Sequence, residues 1–178
     1  MRFDLFSVPI FIGDIDCNKI NLHNKGFKKT FLSDTVSSHD FFNELDDESK
    51  QYLLTVIANL IKNNFFRSHK ITLQSIWQNN YEEGDFQEKH IHQRSHFSFI
   101  IYKQIDESKT IFYNPAFYPI TSFYDSSFLT HTNFFKTDFK PMCKTNQIIV
   151  FPSFLEHMVR KNTKKSITIS GNVLIEMV

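Results

Sequence analysis

Eight histidines are spread through the 178 residues, and three of them stand in patterns that could hold a metal ion. The first pattern is His90-Ile91-His92. In an extended chain, residues i and i+2 share a face about 7 Å apart. Two imidazoles so placed can converge on one divalent iron, zinc or copper ion. The second pattern is Val150-Phe151-Pro152-Ser153-Phe154-Leu155-Glu156-His157, an apolar strand stopped by proline with a histidine just beyond it. Taken alone, each has an ordinary explanation. An H-x-H pair is commonly two solvated side chains on a polar strand, and a lone histidine is commonly a surface or core residue.

The elements that must position these residues can be read from periodicity. The first dozen residues, with Phe3, Leu5, Val8, Ile10 and Ile12, form a strand pattern interrupted by Pro9. Residues 17–37 are polar and carry no clear period. Ser38 is placed to N-cap a short helix bearing Phe41, Phe42 and Leu45. A longer helix is expected over Asp47–Phe65, where Leu53, Ile57, Leu60, Ile61 and Phe65 make one apolar stripe. From Lys70 onward strands take over. Ile71 and Leu73 alternate with polar neighbours, and in 96–102 the residues Phe97, Phe99 and Ile101 face one way while His96, Ser98, Ile100 and Tyr102 face the other. Further strands are expected at Thr110–Tyr113, Asn133–Asp138, Gln147–Phe151 and Ser166–Ile175. Many short strands after a helical lead-in predict a mainly β fold with flanking helices, a jelly roll or double-stranded β-helix of cupin-like form. In such a fold strands distant in sequence become neighbours, so His157 can complete a three-ligand site with His90 and His92. The whole chain, 1–178, reads as a single domain, with an N-terminal strand and helices over 1–69 and the jelly-roll core over 70–178.

Composition excludes several classes. A net charge of +1 argues against nucleic-acid binding driven by global charge. Four glycines, Gly13, Gly26, Gly84 and Gly171, cannot build a P-loop or a dinucleotide-binding turn. The 21 phenylalanines fit a codon-biased genome better than an aromatic recognition surface. Two cysteines, Cys17 and Cys143, are too few for a disulfide framework. With no secretory signal and no apolar run of about 18 residues, a cytoplasmic location without membrane contact is expected.

The blocks flanking the histidines resemble a known family. Trp77-Gln78-Asn79-Asn80-Tyr81-Glu82-Glu83-Gly84, then His90-x-His92, then a strand beginning near Ser98, is similar to the first half of a bacterial and phage family of 2-oxoglutarate/iron(II) oxygenases related to the prolyl hydroxylases. Phe151-Pro152-Ser153-Phe154-Leu155-Glu156-His157, followed by Ser170-Gly171-Asn172, resembles its second half. The likeness spans roughly residues 71–174.

This resemblance implies Fe(II) held by His90, His92 and His157, with His92 where the wider superfamily has a carboxylate. Three neutral imidazoles leave three coordination positions open, enough for bidentate 2-oxoglutarate and O2. It further implies that Asn79, Tyr81 and Tyr102 line the co-substrate pocket and that Ser98 hydrogen-bonds a ligand or a histidine. Asn172 closes the last strand. The family's basic anchor for the distal carboxylate falls on Ser166, with Lys165 just before it. A one-residue slip turns a strand side chain to the other face, so Lys165 serves only in an altered register, Ser166 and Thr168 offer hydroxyls, and Arg94 is another source of charge. Residues 160–165 otherwise read as a solvated basic hairpin. The implied reaction couples decarboxylation of 2-oxoglutarate to hydroxylation of a C–H bond. The aromatic segment 103–145, with Tyr113, Phe117, Tyr118, Phe123 and Tyr124, would select the unknown substrate, an apolar group or a peptide or protein side chain, although a buried extension of the core explains it equally well. Two rivals keep the metal: a catalytically degenerate jelly-roll module, and a three-His cupin-type dioxygenase that does not use 2-oxoglutarate.

Overall fold

Alternation of side chains along three strands builds a two-sided core. In β8 (Phe97–Gln104) Phe99 and Ile101 point to one side of the sheet, while Ile100 and Tyr102 point to the other. In β11 (Gln147–Pro152) Ile148 and Val150 share the first side, and Ile149 and Phe151 the second. In β13 (Ser166–Met177) Ile169 and Val173 join the first side, whereas Ser166, Thr168 and Ser170 turn polar groups to the second. One side is covered by a helix and the other faces a second sheet.

A computed structural model describes residues 8–64, 69–116 and 136–177. The larger sheet is antiparallel and has seven strands in the order β1-β11-β8-β13-β6-β4-β3, where β1 is Phe11–Asp14, β3 Lys28–Lys29, β4 Val36–Ser37 and β6 His69–Tyr81. The smaller has four in the order β10-β9-β12-β7, where β7 is Gln87–His90, β9 Thr110–Tyr113, β10 Asp138–Phe139 and β12 His157–Val159. A third pairing joins β2 (Leu22–Asn24) to β5 (Asn43–Leu45). The two larger sheets form the expected double-stranded β-helix.

The helix α1 (Asp47–Ile61) starts where Asp46 caps it, its carboxylate accepting from the Ser49 amide at 2.7 Å. Asp47 and Glu48 in the first turn suit the helix dipole. Leu53, Ile57 and Ile61 recur at four-residue steps and are fully buried against the large sheet. A 3-10 turn follows over Lys62–Asn64, so the helix stops short of Phe65, which lies outside the described residues.

The short helix expected after Ser38 does not form. The Asn43 amide donates to the carbonyls of Ser38 and Phe41, and Ser38 Oγ bonds Asn43 Oδ1 at 2.6 Å. These side-chain bonds satisfy the backbone as a turn and release Asn43–Leu45 to pair as β5. At the start of the chain, β1 begins only after Pro9, and the region of Phe3 and Leu5 lies outside the described residues. The strand expected at Asn133–Asp138 is seen only from Asp138, residues 133–135 being outside them. Among the described residues no helix is long and apolar enough to cross a membrane. Cys17 and Cys143 are buried free thiols.

Candidate metal centre

The small sheet brings two of the histidines face to face. β12 pairs antiparallel with β7 so that His157 stands opposite His90, and with β9 so that His157 also stands opposite Phe112. β7 ends at His90, and His92 lies past it in the turn to β8 rather than on one strand with His90. That corrects the same-strand picture. The His92 amide is fixed by donating to the Ser153 carbonyl at 2.9 Å, and the chain reverses through Arg94 with φ of 60°. Ring centroids are 4.2 Å apart for His90–His157, 5.2 Å for His90–His92 and 5.1 Å for His92–His157. One nitrogen from each lies within 4.8 Å of the other two.

Each ring has its tautomer set by an oxygen acceptor at Nδ1. The acceptors are the Glu88 carbonyl for His90 at 2.8 Å, Asn172 Oδ1 for His92 at 2.7 Å and the Leu155 carbonyl for His157 at 2.9 Å. An oxygen with no proton to give requires Nδ1–H, which leaves the lone pair on Nε2. Burial then keeps the rings neutral. Desolvation lowers His92 to about 4, pushes His157 well below the usual histidine range, and lowers His90 as well. The mutual repulsion of His90 with His92 and with His157 adds to this. Three neutral, oriented imidazoles fit a divalent transition ion. Gln87 Nε2 donates to His90 Nε2 at 3.1 Å, so an ion bound there displaces that amide.

Behind the histidines lies a narrow pocket. Its walls are Trp77 and Tyr81 from β6, Ile100 and Tyr102 from β8, Ser166, Thr168 and Ser170 from β13, and Lys109 and Thr110 at the start of β9. Tyr81 donates to Gln87 Oε1 at 3.2 Å, and Tyr102 donates to Thr110 Oγ1 at 3.0 Å. Burial raises both phenol pKa values above their ordinary range, so both remain hydrogen-bond donors.

The other residues singled out from the sequence are distributed differently. Asn79 is 1 % exposed, and its Oδ1 is buried without a partner, while its Nδ2 makes only a 3.4 Å contact with Ser170 Oγ. Exchanging the amide's oxygen and nitrogen lets Ser170 donate to Asn79 Oδ1, and Asn79 is not among the residues that line the pocket. Ser98 and Asn172 serve His92: Asn172 Oδ1 accepts from Ser98 Oγ at 2.8 Å as well as from His92, and Asn172 Nδ2 donates to Ser75 Oγ at 2.9 Å. Ser166 is 4 % exposed and donates to Asn162 Oδ1 at 2.7 Å. Lys165 does not reach the cavity. Its strand parity turns it outward, where it pairs with Glu82 at 3.0 Å and remains 59 % exposed. Arg94 is likewise exposed on its turn and absent from the cavity wall. Gln87 and Lys109, both on that wall, carry no signal in the sequence: each sits in a run of polar residues at the start of a short strand, outside any motif.

Comparison with known proteins agrees with this arrangement. Residues 75–172, more than half of the chain, match the model of a family described as "Putative 2OG-Fe(II) oxygenase". The matched segment begins and ends on the hydrogen-bonded pair Ser75 and Asn172 and includes all three histidines. No curated protein sequence matches the chain. Among solved structures, the fold is similar to an oxidoreductase of the 2OG-Fe(II) oxygenase family from Burkholderia pseudomallei, at 10 % identity and a TM-score of 0.52 over 94 % of this chain and 73 % of that one. It is also similar to a prolyl hydroxylase from Trichoplax adhaerens in complex with a hypoxia inducible factor peptide fragment, at 13 % identity and a TM-score of 0.51 over 83 % of this chain and 69 % of that one. The chain therefore belongs to the 2OG-Fe(II) oxygenase family and is an oxidoreductase whose cofactor and co-substrate are Fe(II) and 2-oxoglutarate.

Proposed function

We propose that this oxygenase hydroxylates a side chain of a peptide or protein, with Nε2 of His90, His92 and His157 as its iron ligands. The observation that carries the reading is that the histidines stand between two spaces. On the inner side is the narrow pocket walled by both polar and apolar side chains. On the outer side is a wider, more open groove bordered by Phe31, His39, Lys89 and Ile91. Trp77, Gln87, His90 and His92 border both. Co-substrate and substrate can thus reach one ion from opposite sides.

Bound Fe(II) supplies the coupling of 2-oxoglutarate decarboxylation to C–H hydroxylation. The chain's own residues do the positioning. Tyr81, Tyr102 and Ser166 offer hydroxyls inside a wall that is almost wholly buried, where water is excluded and each hydrogen bond counts for more. The Glu88 carbonyl, Asn172 and the Leu155 carbonyl hold the ligand rings in place. The groove mixes apolar, cationic and anionic groups, and β7 beside it is the edge strand of the small sheet, which suits an extended polypeptide. The peptide in the Trichoplax adhaerens complex supports that choice by analogy of fold. Of the aromatic segment expected to select substrate, Phe117, Tyr118, Phe123 and Tyr124 lie outside the described residues.

Anaerobic titration of the Fe(II) protein with 2-oxoglutarate tests the reading. A charge-transfer absorption band is expected, lost in His157→Ala, followed on admitting O2 by succinate release. Iron bound without a band would leave a metal-binding jelly roll or a three-His dioxygenase that does without 2-oxoglutarate. Succinate formed with no stimulation by any peptide pool would remove the peptide assignment alone.

A further inference from the structure

The closing strand β13 brings no cation to the co-substrate cavity, since Ser166 occupies the inward position and Lys165 faces solvent. A dicarboxylate co-substrate still needs a counter-charge, because a buried carboxylate without one is strongly disfavoured. Among the described residues on the cavity wall there is one lysine or arginine, Lys109. It is only 9 % exposed, and it pairs with Glu107, whose side chain is 61 % exposed and which also borders the cavity.

We infer that Lys109 anchors the distal carboxylate of the co-substrate and that Glu107 holds this place in the free protein. The inference rests on the co-substrate reading above and adds which residue recognises the far end. The register sets the span. Phe112 of β9 stands opposite His157, and Thr110 opposite Val159, so Lys109 lies three residues along the strand from the metal level, about 10 Å. An extended chain of four carbon–carbon bonds of about 1.5 Å, joined to a metal–oxygen bond of about 2 Å and a charged hydrogen bond of about 2.8 Å, reaches roughly the same distance. The Lys109 end of the cavity is also rich in hydroxyls: Ser108 Oγ donates to the Tyr102 oxygen at 3.2 Å, and Tyr102 donates to Thr110. Turning toward an incoming carboxylate, these donors can satisfy the oxygen lone pairs that one ammonium leaves over.

The existing ion pair is informative in itself. A carboxylate already rests on the Lys109 ammonium at the cavity rim, and it belongs to a side chain exposed enough to swing into water. Binding of 2-oxoglutarate exchanges one carboxylate for another at Lys109, so the buried ammonium keeps an anionic partner throughout. Glu107 thereby competes with the co-substrate and lowers its apparent affinity.

The test compares 2-oxoglutarate with 2-oxovalerate, which has the same metal-binding end and a methyl group in place of the distal carboxylate. Both are titrated anaerobically into the Fe(II) protein, with the charge-transfer band as readout. Wild type is expected to prefer 2-oxoglutarate by roughly 30-fold or more, the scale set by removing one partner of a buried charge pair. Lys109→Met should abolish that preference while leaving 2-oxovalerate binding and iron stoichiometry unchanged, and Lys109→Arg should retain part of it. Glu107→Gln should tighten 2-oxoglutarate binding severalfold and leave 2-oxovalerate unaffected, whereas Lys165→Met should change neither. Full preference surviving in Lys109→Met, or lost in Lys165→Met, would overturn the assignment. A wild-type protein giving no band with either acid would instead overturn the co-substrate reading, and the role of Lys109 with it.

Discussion

At Asn172 one carboxamide oxygen accepts two hydrogen bonds, from His92 Nδ1 and from Ser98 Oγ, while the amide nitrogen donates to Ser75 Oγ. With Nε2 of His92 left for the metal, its Nδ1 carries the proton, and a flipped amide would then set donor against donor. His92 is thus oriented by a residue eighty positions away, on β13, the strand that pairs with β8. Replacing Asn172 with Ala should lower affinity for Fe(II) by about 10–100-fold, the usual scale for removing an orienting partner of a metal-bound imidazole. His157→Ala should remove stoichiometric binding altogether. Chelator competition measures both, and equal metal affinity in wild type and Asn172→Ala would refute the orienting role. The contrast among residues also explains what the sequence could disclose. His90-x-His92 and Phe-Pro-Ser-x-Leu-x-His were legible because each is a local block. Ser98 was read as a hydrogen-bond partner of a ligand or a histidine, but that it reaches His92 through Asn172 was not legible, since it depends on two strands pairing in the sheet. Lys109 was invisible because strand parity assigns it no inward place, and only its long flexible stem carries the ammonium to the cavity rim.

At the scale of elements, β13 separates the two halves of the molecule's chemistry. Its polar residues face the cavity, its apolar residues face α1, and β6 and β8 pair along its two edges. Gly171 lies on the apolar face where the Phe99 ring crosses the strand. A Cβ there would strike that ring and approach the Ser75 carbonyl oxygen to 2.5 Å. The ring is packed in the core and the carbonyl belongs to the adjoining strand, so neither yields freely. Gly171→Ala should therefore cost about 1–3 kcal/mol in urea unfolding, with some loss of metal affinity because Asn172 is its neighbour. A variant as stable as wild type would show that β6 or Phe99 can shift. Element by element, the sequence was most readable where periodicity is long. α1 and the alternation of β8 appear as expected, because an apolar stripe or face needs only local spacing to be recognised. β12 escaped notice because a strand of three residues carries too few positions to define a period, β7 was expected under His90-x-His92 but ends at His90, and β5 was missed because side-chain bonds from Asn43 outweighed an apparent helix cap.

Across the whole molecule, the three histidines join parts that otherwise meet mainly through the apolar cluster of Ile100, Phe112, Ile149, Phe151 and Leu155. His90 and His157 belong to the small sheet, while His92 precedes β8 of the large sheet and is held there by Asn172. An ion bound at all three therefore links the sheets, and no such site exists in the unfolded chain. By linkage, metal free at one hundred times its dissociation constant stabilises the fold by about 2.7 kcal/mol. For a chain of this length each kcal/mol shifts Tm by about 2–4 °C. Stripping the metal with a chelator should consequently lower Tm by roughly 5–11 °C, with recovery on adding Fe(II) under anaerobic conditions. The same increment should be missing in His157→Ala and intact in Lys109→Met, because the first variant removes a ligand and the second only the proposed co-substrate anchor. Identical melting of the stripped and loaded wild-type protein would mean that the ion does not bind selectively to the folded state, and the three-histidine centre could not then be the site that joins the sheets.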